Sequence, residues 1–288
     1  MREPKRIGVV LPVGPKDSEA AVDTLASALY YLDKSRIIVV IDDTVGCPGF
    51  GQQVREMSPD TVVLPSPPRA PGGLGGLWVK IAAGYQWLLE RYEPDIILRL
   101  DTDALIIGSG IEECAAREFG ENPAVGLLGS YRIAPDGNPR DWSWPARRIQ
   151  IETGFRGLRH PARWQRLREL RALARQHGYT DGEHTLGGSY IHSFPAADEI
   201  YARGWFKQPC LATSRLGEDH IMGLVTVAAG YRIADFGRPE DPMALKWRGL
   251  PAHPEDLLAG KKLVTHSVRS WGSMTEDEIR GIFRAARA

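Results

Sequence analysis

Apolar positions along the chain switch repeatedly between two periods. Residues 7–13 form a short apolar run closed by Gly14-Pro15, and residues 21–32 then set Val22, Leu25, Ala26 and Leu29 on one helical face. A β-branched run over 36–41 ends in Asp42-Asp43, a third run covers 61–64, helical spacing returns over 77–91, and residues 95–100 make a fourth strand. Strands alternating with helices predict an α/β fold of three layers, α/β/α, around a mostly parallel central sheet. Ligands of such sheets sit beyond the carboxyl ends of the strands. The informative residues are therefore 14–18, Asp42-Asp43, the Pro/Gly-rich segment 65–76, and 101–103.

Residues 124–130 give one more strand, after which the composition turns to Arg, Trp and Pro and the alternation stops until about Gly187. Within this stretch 161–177 is a predicted helix with Leu167, Leu170 and Ala174 as its apolar stripe. Short strands are expected near 189–191, 232–236 and 263–265, and helices near 196–202 and 218–229. Thr275 with Glu278 makes a capping box for a final helix. We expect one domain over 1–288 in two lobes, 1–130 and 131–288, the second containing an Arg-rich helical insertion at 140–180, and the resemblance described below implies donor binding for the first and acceptor binding for the second.

Lys plus Arg and Asp plus Glu number 36 each, so no net field draws the chain to nucleic acid and no such partner is expected. Cys47, Cys114 and Cys210 lack the paired spacing of zinc or redox motifs and fit a reducing compartment. No apolar stretch approaches the ~20 residues that span a bilayer. With no secretory leader visible, a cytoplasmic location is the expectation. The insertion is the charged exception: nine arginines stand between Pro145 and His177 against Glu152 and Glu169, a balance of +7, together with Trp164 and the nearby Trp142 and Trp144. Such a segment suits an anionic acceptor or an acidic membrane surface, and equally a solvated helix face or an oligomer contact.

A dinucleotide fingerprint would need a G-x-G-x-x-G turn after the first strand, where only Gly14 stands, and no Walker lysine is present, since Lys80 lies between Val79 and Ile81. A Rossmann oxidoreductase and a P-loop NTPase are set aside. The strongest local pattern is Ile96-Ile97-Leu98-Arg99-Leu100-Asp101-Thr102-Asp103, an apolar strand that delivers two carboxylates to its end. Hard divalent cations take such oxygen ligands, and a cation there can neutralise a departing diphosphate. With 18 aspartates in the chain, about one Asp-x-Asp arises by chance, so its weight comes from its place at a strand end.

On these motifs the chain resembles the GT-A glycosyltransferases, which hold a metal and a nucleotide-sugar on an Asp-x-Asp motif and a mostly parallel mixed sheet. Residues 9–13, with Pro12, are similar to the family's first strand, and 39–43 to its second, which implies that Asp42 or Asp43 meets the base or ribose. The glycine-rich 71–76 is similar to the segment that closes over the donor, implying Gly73, Lys80 and Arg69 near the diphosphate. The resemblance makes Asp103 the principal ligand of manganese or magnesium and Asp101 a support to metal or ribose. His266 is a candidate third ligand, as in some members, and Arg269 a contact to the leaving diphosphate.

Gly187-Gly188 resembles the acceptor-side strand, with Trp271 as part of a lid, and Glu218-Asp219 resembles the acidic pair that opens the following helix. Asp219 is then the general base of an inverting transfer, with Glu218 as the alternative. Capping is the plainer role open to Asp219 and to Asp42-Asp43. The implied reaction moves a sugar from a UDP- or GDP-sugar to the hydroxyl of a sugar, lipid-linked or small-molecule acceptor. Peripheral membrane contact and a homodimer are compatible with it. The Gln/Arg-x-x-Arg-Trp motif of processive synthases is absent. A sugar nucleotidyltransferase is the competing enzyme reading, although Gly14-Pro15-Lys16 matches its signature poorly. A binding protein on a degenerate transferase scaffold is the other reading, and the intact Asp101, Asp103, Glu218 and Asp219 speak against it.

Overall fold

Strand alternation divides the core in two. In β1 (Glu3–Val13) Ile7, Val9, Leu11 and Val13 enter one apolar cluster and Val10 the other; in β2 (Arg36–Asp42) Ile38 and Val40 join the first while Ile37, Val39 and Ile41 join the second. Strands buried on both faces suit a parallel sheet covered by helices. The computed structural model describes residues 2–44, 47, 49–68 and 74–287. To β1 and β2 it adds β3 (Val62–Pro65), β4 (Tyr92–Leu100), β5 (Ala104–Ile106), β6 (Val125–Gly129) and β7 (Ser189–Ser193). These are followed by β8 (Arg232–Asp235), β9 (Met243–Leu245) and β10 (Val264–His266).

The main sheet has seven strands in the order β3-β2-β1-β4-β7-β6-β8, and β7 alone runs antiparallel to its neighbours. A second sheet, β5-β10-β9, begins where the first ends: the chain leaves β4 at Leu100, turns through 101–103 and enters β5 at Ala104. Helices α1 (Ser18–Tyr31), α2 (Phe50–Met57) and α4 (Ile111–Glu121) cover the first cluster. The second is covered by α3 (Gly76–Leu89), α5 (Ser143–Thr153), α6 (Pro161–Gln176), α7 (Phe194–Ala202) and α8 (Glu218–Ala228). Close contact of α3 with β1 depends on two glycines, since a Cβ on Gly8 would stand 2.4 Å from Leu88 Cδ1 and one on Gly84 2.6 Å from Val10 Cγ1.

The predicted strands and helices are all present with shifted ends, and Thr275 with Glu278 forms the expected capping box at the start of α10 (Glu276–Ala285). Helices α2, α4, α5 and α9 (Pro254–Ala259), strands β5 and β9, and the two-residue pair β11 (Ser270–Trp271) and β12 (Met274–Thr275) were not expected. Among the described residues no helix is long and apolar enough to cross a membrane.

The turn between the sheets is held from behind. Thr24 Oγ1 lies 2.8 Å from the Thr102 carbonyl and 3.0 Å from that of Ala104, and Arg280 Nη2 donates to the Thr102 carbonyl at 2.7 Å. Arg280 also pairs with buried Asp23 of α1 at 2.8 Å, and Arg287 reaches the other oxygen of that carboxylate at 2.5 Å. Breaking a buried ion pair leaves an uncompensated charge, and because Arg287 still faces Asp23 the low end of that penalty applies, about 3 kcal/mol. Arg280→Met should therefore lower the thermal midpoint by roughly 6–12 °C, at about 2–4 °C per kcal/mol for a chain of this size. A calorimetric shift within a degree of wild type would show that the clamp contributes nothing.

Candidate active site

Sheet register brings the first group of side chains together. In β10, His266 pairs with Ala104 of β5, one residue past Asp103, and its Nε2 lies 3.2 Å from Asp103 Oδ1. The other ring nitrogen, Nδ1, is 2.8 Å from the carbonyl of Lys246. A carbonyl only accepts, so Nδ1 carries a proton, and Nε2 is directed at the Asp103 carboxylate. Asp101 completes the group: ligand atoms of Asp101, Asp103 and His266 all lie within 4.8 Å of one another. Two carboxylates and an imidazole fit manganese or magnesium.

The two aspartates differ. Burial opposes ionisation of Asp103, but the contact with His266, the 2.7 Å hydrogen bond from Ser267 Oγ and the charge of Arg269, whose Nε donates at 2.8 Å, hold its pKa below the carboxylate range. Burial pushes Asp101 up, and Arg99 only partly offsets it. Gly188 makes room for the imidazole: its φ is +97°, and a Cβ there would stand 2.5 Å from the His266 ring.

A second group gathers at the N-terminus of α8. The fully buried Arg99 of β4 has Nη2 2.7 Å from Asp101 Oδ1 and 2.8 Å from Glu218 Oε1, and Tyr190 donates to Glu218 Oε2 at 2.8 Å. Burial raises the pKa of Glu218 to about 8 against the pull of Arg99, with Asp219 and Asp101 adding to the rise. Asp219 accepts the backbone N–H of Gly187 at 3.1 Å and of His220 at 2.9 Å. Burial opposes its ionisation, but His220, His184 and the backbone N–H hold its pKa below the ordinary value.

His184, Asp219 and His220 also bring ligand atoms together. Hydrogen bonding argues against a metal there, because His184 Nδ1 faces the Gly182 carbonyl at 2.7 Å and its Nε2 faces the Arg140 guanidinium at 3.0 Å. Burial pushes His184 down to about 3. The imidazole is a neutral spacer between Arg140 and Asp219.

Both groups open on one cleft of about 760 Å³, within the size range of small-molecule sites. Pro12, Lys80, Asp101, Asp103, Gly187, Gly188, Glu218, Asp219, His266 and Arg269 all line it. Three of the expected residues do not. Asp42 folds back on its own turn, accepting the N–H and hydroxyl of Thr44 at 2.8 and 2.6 Å, and Asp43 pairs with Lys80 Nζ at 2.5 Å. Trp271 packs edge-on against His253 at 4.7 Å, away from the cleft, while its neighbours Arg269 and Ser270 face in. Gly73 and Arg69 lie outside the described residues. Sequence reasoning passed over Arg99, Ser267 and Trp247, which also line the cleft. Arg99 had left a signal, since a guanidinium inside an apolar strand needs a counter-charge nearby.

No protein-family model matches the sequence, and no curated protein matches it. Among solved structures, the chain superposes on the apo structure of the WbbM bifunctional glycosyltransferase with a TM-score of 0.51 and 10% identity, covering 99% of this chain and 50% of that one. It is also similar to the mannosyltransferase PcManGT from Pyrobaculum calidifontis in complex with GDP-Man and Mn2+, with a TM-score of 0.43 and 13% identity over 82% of this chain and 55% of that one. The chain thus spans about half the length of the solved chains it matches. With its strand order, the single antiparallel β7 and the small sheet that follows the Asp101–Asp103 turn, the chain has the GT-A fold of the glycosyltransferases.

Proposed function

We propose that the chain transfers a sugar from a UDP- or GDP-sugar to an acceptor hydroxyl, with a divalent metal and inversion at the anomeric carbon. The observation that carries this reading is the convergence of acceptor atoms from Asp101, Asp103 and His266 at one end of a cleft whose other wall holds Asp219. A cation at the three ligands supplies charge neutralisation to the leaving diphosphate. Arg269 stands beside Asp103, side-chain half exposed to the cleft, where it adds a second positive charge to the same phosphates. Lys80, from the first turns of α3, is positioned by Asp43 to do so from the opposite side. Asp219 is ionised at neutral pH and takes the proton of the acceptor hydroxyl as it attacks. Glu218, with its side chain 4% exposed against 18% for Asp219 and held by Arg99 and Tyr190, positions the helix end.

Donor binding is tested by thermal unfolding with UDP, GDP, ADP and dTDP, each with and without manganese. At about a hundred times its dissociation constant, a ligand adds ~2.7 kcal/mol, which raises the midpoint by roughly 5–10 °C. One nucleotide is expected to do so only with metal, and Asp103→Asn should lose the shift while retaining its own cooperative transition. If no nucleotide acts under any metal condition, the donor site has been misassigned.

Asp219→Asn should lower kcat by about 10²–10⁴, the usual contribution of a general base, while keeping the metal-dependent nucleotide shift. Full activity in this variant would transfer the role to another group. The acidic pair also predicts a pH signature in stability. Glu218 has an ordinary value of 4.5 and is raised to about 8 in the folded chain, so between those limits the unfolded chain releases a proton that the folded chain keeps. Stability from this group therefore falls as pH rises through that window and levels off above it. Glu218→Gln lacks the effect, and its midpoint relative to wild type should move in its favour between about pH 5 and about pH 8. A difference independent of pH would mean that Glu218 is ionised throughout.

A further inference from the structure

The Arg-rich insertion is outside the chemistry of the cleft, and the structure divides eight of its nine arginines into two sets, the ninth, Arg148, lying over the ring of Trp144 at 5.6 Å. Arg163 is buried and pairs with Glu152, Arg171 and Arg175 share Asp181, and Arg166 meets Glu169. Arg147, Arg156, Arg159 and Arg168 are exposed, and none has a carboxylate partner among the described residues. The unpaired set surrounds exposed apolar side chains. Phe155 is 89% exposed and Leu158 44%, both in the single 3-10 turn Phe155–Arg159 that follows α5, and Trp144 in the first turn of α5 is 49% exposed.

Helical geometry aligns these residues. The buried stripe of α5 is Pro145, Ile149 and Glu152, so Trp144, Arg147 and Ile151, at i, i+3 and i+7, fall on the opposite face and lead toward Phe155. The turn is rigidly built. Trp164 Nε1 donates to the Gly154 carbonyl at 3.1 Å, a Cβ on Gly157 would stand 2.0 Å from the Glu152 carbonyl oxygen, and Arg168 lies over the Trp164 ring at 4.6 Å. Exposure of Phe155 is thus imposed by a packed scaffold.

We propose that this face docks on an anionic phospholipid surface, with Phe155 and Leu158 entering the headgroup boundary and Arg147, Arg156, Arg159 and Arg168 facing lipid phosphates. Interfacial surfaces combine apolar side chains, an aromatic and unpaired cations in this way, and the chain's zero net charge makes the patch a local attraction. Exposed Leu158, which offers no aromatic face for a base to stack on, favours lipid over nucleic acid. Trp144 links the face to the cleft, since its ring lies 5.6 Å from that of His220, beside Asp219. Docking would therefore present the acceptor side of the cleft toward the membrane.

The test is co-sedimentation of the whole chain with phosphatidylcholine vesicles, with and without phosphatidylglycerol, and needs no sugar nucleotide, so it stands apart from the donor reading. Binding is expected only with phosphatidylglycerol and should weaken with salt. Neutralising Arg156 and Arg159 to Gln should reduce the partition coefficient about fivefold for each charge. The pair Phe155→Ser with Leu158→Ser should reduce it roughly tenfold, with an unchanged thermal midpoint because both side chains are exposed. Equal capture by both vesicle types, or capture undiminished in both variants, would overturn the proposal. So would a wild-type dimer in sedimentation velocity that Phe155→Ser dissociates while vesicles capture neither form, since the face would then join two copies.

Discussion

The cleft depends on one buried guanidinium. Arg99 is paired in register with Tyr190 of β7 and Val10 of β1, in the middle of the main sheet, and has no access to water. A charge in that position requires a counter-charge and further acceptors, and it finds the first in Asp101, two residues on in its own strand, and an acceptor in the carboxyl of Glu218 in α8. Its nitrogens are close to both carboxylates but not well aligned for hydrogen bonds, so charge holds it more than directional bonding does. Asp101 and Glu218 hold its pKa above the ordinary value against the effect of burial. Since α8 and β4 share this cation, the acidic pair at the helix start is fixed beside the turn that carries Asp101 and Asp103. Four carboxylates then stand around one cleft without unfolding it.

The small sheet supplies what the large one cannot. Parallel strands ending at one edge can offer several carboxylates there, but an imidazole must approach from outside the sheet. Strand β10 brings it by pairing with β5, and the bare Cα of Gly188 lets the ring lie flat against the end of β7. The flanking cations are likewise pinned by acids: Lys80 by Asp43, and Arg269 by Asp103, with Asp17 and Glu276 at 3.7 and 4.0 Å. Cations held in place before an anionic ligand arrives lose less freedom when it binds.

What could be read in the sequence follows from how local each signal is. Strands β1, β2 and β4 are legible because burial on both faces demands continuous apolar runs, and Asp101–Asp103 is legible because it ends such a run. Helix α4 was not, since only Ile111, Glu112 and Ala115 of its residues are buried and its apolar stripe is correspondingly thin. The three-residue strands β5 and β9 have too little length to show a period. Asp42-Asp43 were expected at the site from the resemblance of their strand and Trp271, with Gly272, as part of a lid, and neither ground fixes where a side chain turns. Thr44 captures Asp42, and the tight turn at Gly272, with φ +55°, accompanies the packing of Trp271 on His253. The neutral His184 between Arg140 and Asp219 joins residues 44 and 35 positions apart and left no local trace.

Glu218 and Asp219 are neighbours on one helix start, yet their surroundings give them opposite roles. The macrodipole acts on both and cannot distinguish them. Glu218 points into the sheet, where loss of water outweighs Arg99 and leaves it a proton affinity near neutrality. Asp219 points along the cleft wall, where two backbone N–H groups satisfy it. A higher pKa would make Glu218 the stronger base in principle, but a base must first reach the proton. The Glu218 side chain is 4% exposed between Tyr190 and Arg99 and that of Asp219 18%, the difference on which the proposal of Asp219 as base rests, and the raised pKa of Glu218 reflects the cost of fixing the helix to the strand.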